Sequence, residues 1–314
     1  LYTETDETKV TLERVGNSSD VLVNLDASGG NIVLQGWLDA GNNQLLGTIQ
    51  LGNGTRLQYR ENEGSGDESL TGSPLAEKLY GYGGNDTLNG LAGSDSLYGG
   101  EGNDVLKYDA SDAVVSGGNG YDTLDASAAS AGVSIDLRTA AYADIEAATG
   151  GTGADMLIGG TGANVLSGGN GADTLWGVGG NDTLAGGAGA DLYFFGRGEG
   201  NDVITADGGA GSDTLNLYTE TDETKVTLGK DGNDLLVSLD ASGGSVLLQG
   251  WLDAGNNQLG TIQLGNGTRL QYRANAEGDE SLTGTPLADK LQGYGGNDTL
   301  DGLAGADSLY GGEG

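Results

Sequence analysis

The chain has 314 residues, including 63 Gly, only two Pro, no Cys and no His, with a formal net charge of −33. Without Cys or His it can form no disulfide, no structural zinc site of the usual ligands and no nucleophile–histidine catalytic pair. So acidic a surface disfavours nucleic acid, and no apolar run approaches the length of a membrane span.

In chain order, residues 1–63 read as a small β-module. Val21-Leu22-Val23-Asn24-Leu25, Asn31-Ile32-Val33-Leu34-Gln35 and Thr48-Ile49-Gln50-Leu51 are short strands, with Gly29-Gly30 and Asn53-Gly54 as turn signals. Trp37, like Trp251 later, is expected to anchor a core. Residues 64–125 carry a nine-residue beat. One stretch reads Gly81-Tyr82-Gly83-Gly84-Asn85-Asp86-Thr87-Leu88-Asn89, and the next two keep the same spacing to Asp95 and Asp104. Residues 126–149 interrupt the beat, but Val133-Ser134-Ile135-Asp136-Leu137 keeps strand alternation, which predicts longer rungs of the same structure. Ala140–Glu146 has room for one or two helical turns. The beat resumes over 150–216, and 217–277 repeat the opening module. Residues 278–314 start the next block, and Gly311-Gly312-Glu313-Gly314 stops just before the expected aspartate, so a longer parent array is expected. Residues 217–228 return residues 1–12 letter for letter. Trp37/Trp251, Arg56/Arg269 and Asp86/Asp298 continue the correspondence.

A fixed period signals a solenoid. In the pattern Gly-Gly-x-Gly-x-Asp-x-Leu-x the glycines permit a tight loop with positive φ. Asn before Asp (Asn85, Asn103, Asn181, Asn297) is expected there because Asn tolerates left-handed backbone. Asp-x-Leu has strand periodicity, and the eighth-position Leu, Ile, Val or Tyr fills the interior. Two nonapeptides make one turn, so acids eighteen residues apart stack at about one strand spacing, ~4.8 Å. Bare carboxylates that close repel, whereas a hard divalent cation taking carboxylate and carbonyl oxygens removes the repulsion. The candidate ligands are Asp86, Asp95, Asp104, Asp122, Asp155, Asp173, Asp182, Asp191, Asp202, Asp213, Asp289, Asp298 and Asp307. Glu68, Glu77 and Glu280 stand where Asp is expected and read as degenerate first turns. Asn164 replaces one acid, and Ala113 removes another and predicts an empty site. The charge then belongs to a chain that folds when metal neutralises it.

These thirteen aspartates and their glycine loops resemble the RTX proteins, whose parallel β-rolls bind calcium through this nonapeptide. The segments Val-Leu-Val-x-Leu-Asp, Leu-Gln-Gly-Trp-Leu and Ile-Gln-Leu-Gly-Asn-Gly-Thr resemble the non-repetitive stretch between haemolysin-type roll blocks. The resemblance implies an all-β fold of parallel β-roll (solenoid) blocks alternating with small β-modules, holding multiple Ca2+ ions. It implies a calcium-rigidified structural repeat of a secreted or cell-surface bacterial protein, of adhesin, fibre or surface-layer type, rather than an enzyme. The alternative is the C-terminal type I secretion region of an RTX toxin or enzyme, folding after export into millimolar calcium. Calcium ions are the expected partners, with neighbouring copies in an array or filament as a second candidate. Nucleic acid and membrane insertion by this segment are not expected. Tyr80 and Tyr98, with Trp176 and Tyr310, occupy the outward ninth position and read as a stacked surface ladder. Ice binding is disfavoured because only Thr152 and Thr161 keep a Gly-Thr-Gly arrangement. The Asn-Asp-Thr sequons are a by-product of the loop sequence.

Overall fold

The computed structural model describes residues 10–14, 20–25, 31–35, 49–50, 56–57, 59–61, 66–74, 76–142, 144–205, 213–240, 243–251, 259–270, 279, 281–284, 286 and 289–314. Trp37, Glu280 and both predicted turns of the first module lie outside them. Among the described residues the architecture is all-β, with one short 3-10 turn at Glu223–Lys225. The chain forms two compact units, residues 1–126 with 139–147, and residues 127–138 with 148–314.

In the first unit, Val10–Arg14, Val21–Leu25 and Asn31–Leu34 form an antiparallel three-stranded sheet. The remainder is a parallel roll. One face stacks Tyr59–Glu61, Lys78–Gly83, Ser96–Glu101 and Val114–Asn119, with Ser96 level with Lys78 and Val114, eighteen residues away on either side. The other stacks Ser69–Thr71, Thr87–Asn89, Val105–Lys107 and Thr123–Asp125. Alternation turns the second residue of each strand inward, so Leu79, Leu97 and Val115 on one face and Leu88, Leu106 and Leu124 on the other are buried in the interior. Burying each leucine contributes about 1.5–3 kcal/mol, and stacking is what gives a nine-residue strand-and-loop any core. Ala140–Glu146 forms turns and no helix among its described residues; the prediction of helical turns fails because Tyr142 and Ile145 only close short turns onto Thr139 and Tyr142.

The second unit repeats the plan with longer rungs. One face runs Ser134–Asp136, Met156–Ile158, Thr174–Trp176, Leu192–Phe194, Asp213–Leu217 and Leu259–Leu264, all parallel. The other includes Val165–Asn170, Thr183–Ala188, Asn201–Thr205 and Ser245–Gln249. The predicted longer rungs are present: Ser134 pairs with Met156, twenty-two residues on. The second β-module then covers the roll edge. Ser245–Gln249 extends one parallel face, and Asp234–Leu239 and Val226–Asp231 turn it antiparallel. Such a cover removes an open strand edge that would otherwise template pairing with another chain. Trp251 is buried, as expected of a core anchor. Beyond it, Ser281–Thr283 pairs with Thr299–Asp301, and Lys290–Gln292 with Ser308–Tyr310, again at eighteen-residue spacing.

Candidate metal centre

The sixth residue of each nonapeptide lies where a loop enters a strand, and there the side chain turns inward. Eleven of the thirteen predicted aspartates are buried; Asp298 and Asp307 are partly exposed. Most of these carboxylates are tied to the preceding turn. Asp104 Oδ1 accepts from the Asp86 amide at 2.7 Å, and Asp122 Oδ1 from the Asp104 amide at 2.8 Å. The same bond joins Asp173 to the Asp155 amide at 2.7 Å, Asp191 to that of Asp173 at 2.8 Å, and Asp307 to that of Asp289 at 3.0 Å. On the opposite edge Asp95 accepts from the Glu77 amide, Asp182 from the Asn164 amide and Asp202 from the Asp182 amide. Predicted stacking pairs are thus brought together, through carboxylate-to-amide bonds.

The second carboxylate oxygen is the functional one. Oδ2 of Asp86, Asp95, Asp104, Asp122, Asp173 and Asp182 is buried and has no hydrogen-bond partner. It sits beneath the first glycine of its own motif. A methyl group added at Gly99 would collide with Asp104 Oδ2 and with the Gly117 carbonyl of the next turn, and Gly81 and Gly168 repeat this arrangement. Carboxylate and carbonyl oxygens therefore converge on a cradle that only glycine leaves open. An ionised oxygen buried without a donor is strongly unfavourable. Burial pushes Asp86, Asp95, Asp122, Asp173 and Asp182 up to about 6, even though the backbone hydrogen bonds pull the other way. Asp202 rises to about 7 for the same first reason. An all-oxygen donor set of this kind suits a hard cation such as calcium. Among the described residues no three acidic side chains gather into one cage, so backbone carbonyls must supply much of any coordination.

Several members of the ladder escaped the nonapeptide pattern. Ala113 does not leave the expected gap, because Asp112, one residue earlier, accepts from the Asp95 amide at 3.3 Å. The loop Tyr108–Asp112 carries the shift, and burial raises Asp112 to about 7. Glu146 closes the long rung by accepting from the Asp122 amide at 2.8 Å, twenty-four residues away. Glu77, at an expected acid position, is 2% exposed, accepts from the Ser73 amide of its own turn at 2.7 Å and gives its own amide to Asp95. The asparagines have a different role from the one predicted. Asn85 and Asn103 are not in the left-handed region; their neighbours Gly84 and Gly102 are. Instead Asn85 Oδ1 accepts from the Asn103 amide at 2.8 Å and Asn103 Oδ1 from the Tyr121 amide at 2.9 Å, an outer ladder parallel to the acidic one. The Asn-Asp pairing in the sequence was the signal for it.

The fold and this ladder define a parallel β-roll with one buried, cation-seeking carboxylate per half turn. The family model for the RTX calcium-binding nonapeptide repeat, which spans four copies, matches residues 71–106, 80–115, 149–184, 168–204 and 283–314. The matched residues carry the RTX calcium-binding nonapeptide repeat, folded as a parallel β-roll. No curated protein matches it. Among solved structures it is similar to the extracellular lipase LipA of Serratia marcescens, at 18% identity and a TM-score of 0.22. That alignment covers 67% of this chain and 43% of the lipase chain, a likeness too low to bear on fold or activity.

Proposed function

We propose that this chain is a calcium-rigidified structural repeat of a secreted or cell-surface protein, with no catalytic role of its own. The observation that supports it is the buried Oδ2, without a donor, recurring turn after turn over a glycine cradle. The thirteen aspartates, joined by Asp112, are the proposed ligands, each contributing one oxygen beside backbone carbonyls. When bound, calcium supplies positive charge between stacked turns and so removes the desolvation penalty of the carboxylates. The protein's own part is to hold the oxygens: Oδ1 is anchored on the preceding amide, which leaves Oδ2 aimed into the cradle. Because each turn touches only its neighbours, rigidity propagates along the roll.

An extracellular setting fits this reading, since modules of this kind bind calcium at roughly 10⁻⁴ to 10⁻³ M. The letter-for-letter return of residues 1–12 at 217–228 favours a length-building role over a single secretion signal. The deciding test is calcium titration of the chelated protein followed by circular dichroism. A cooperative gain of β signal is expected; no gain on adding calcium overturns the proposal.

A further inference from the structure

The second unit carries an aromatic corner that the ladder does not use. Trp176 and Phe194 are partners on adjacent parallel strands, Thr174–Trp176 and Leu192–Phe194. The Tyr218 ring stands nearly perpendicular to both, at 80° and 5.6 Å from Trp176 and at 65° and 6.1 Å from Phe194. The three rings line an open cavity of about 250 Å³. Glu199 locks the corner. Its Oε1 accepts from Trp176 Nε1 at 3.1 Å and from the Tyr218 hydroxyl, and its Oε2 accepts from the Gly196 amide. All three donors are neutral, and among the described residues no cation pairs with this buried carboxylate. Arg138 lies over the Trp176 ring at 5.0 Å, but Asp136 holds it through two side-chain bonds of 2.9 and 2.8 Å and balances its charge.

We propose that this corner is a binding site for a quaternary ammonium group, such as the head of a choline-type compound. Ring faces carry negative quadrupole potential and attract cations, and Trp176 already draws one inside the fold. The buried Glu199 carboxylate at the corner adds to that field. The absence of N–H groups on the ligand is the selective feature. A sugar or a primary ammonium would find few hydrogen-bond partners on a wall of three aromatic rings and would keep its polar groups turned to water. A methylated ammonium asks for none. The three rings are not among the ladder's ligands, although Glu199 also acts on Asp182 and Asp202 of the ladder.

The test is NMR titration of the full, calcium-loaded chain with choline chloride, reading the three Trp indole N–H signals. One signal, the one missing in Trp176→Phe, should shift saturably with a Kd on the order of 1 mM. Tyr218→Ala should weaken binding at least about tenfold, whereas Tyr218→Phe, which keeps the ring, should retain most of it. Methyl glucoside and sodium chloride should leave the signal in place. No saturable shift, an equal shift of all three indoles, or binding of the glucoside instead would each overturn the assignment. Circular dichroism of the same samples separates this from the calcium question. A chain that gains β signal with calcium yet ignores choline refutes the aromatic site alone.

Discussion

The two rolls solve the same problem with different regularity. From Asp86 to Asp122 the ladder advances by eighteen residues per turn on one edge, and every bond lies between 2.7 and 2.8 Å. In the second unit Asp155, Asp173 and Asp191 keep the eighteen-residue step, and beyond them it drifts. Asp182 to Asp202 takes twenty residues and Asp191 to Asp213 twenty-two, yet the amide-to-carboxylate bonds remain at 3.0 and 2.9 Å. The extra residues go into the loops, where backbone can bulge without disturbing the strands. What the fold conserves from turn to turn is therefore the carboxylate beneath the glycine and not the number of residues between acids. Asp112 makes the point most directly, since it fills the position of Ala113 from one residue away.

Four experiments can break or sharpen that contrast, beginning with the largest effect. Asp104→Ala removes a carboxylate in the middle of the regular ladder and should raise the calcium midpoint by on the order of tenfold. Asp213→Ala, beside the covering module, should shift it less; equal midpoints by circular dichroism would show that the turns are not coupled through neighbours. Next, Gly99→Ala forces a methyl into the cradle against Asp104 Oδ2 and a backbone carbonyl, whereas a methyl at Gly162 meets nothing within 4 Å. The first should destabilise the calcium-bound roll by about 1–3 kcal/mol and the second by little, as thermal melts would report. Asp112→Ala should behave as a ladder lesion and Ala113→Ser should not. Similar calcium midpoints for these two variants would deny Asp112 its place.

The fourth experiment is a pH titration without metal. In the folded chain Asp86 and Asp122 rise from an ordinary 3.8 to about 6 and Asp202 to about 7 through burial, so the folded chain holds protons more tightly than the unfolded chain. Their stabilising contribution is complete below about pH 4 and disappears as pH rises through 6–7. The chelated protein should thus gain β signal on acidification from pH 8 towards 5, and calcium should release protons when it binds near pH 6. A metal-free signal flat across that window would contradict the buried state of these acids.

Much of the architecture was legible in advance because a period of nine, doubled to eighteen, converts directly into stacked strands with Leu inside and Asp at the loop exits. Leu88, Leu106 and Leu124 lie where the pattern put them, and Tyr80 and Tyr98 stack at 4.7 Å with ring planes 7° apart, as the outward ninth position implied. Other features were hidden for identifiable reasons. Asp112 and Glu146 fall off the beat, and only the fold shows that a loop carries them back to the ladder. Leu91 and Val178 occupy a position usually filled by Gly, yet adopt φ of 69° and 74°, a strain that the letters alone do not reveal.

Sequence alone determined the kind of structure and the kind of ligand. Repetition gives every turn the same local preferences, so no long-range information is needed to place a glycine loop, an inward leucine and an acid. Tertiary structure decided which oxygens are left for a cation, because that depends on the amide each carboxylate meets in the turn before it. It also decided the aromatic corner. Arg138, Trp176, Glu199 and Tyr218 lie far apart along the chain and meet only when successive rungs stack.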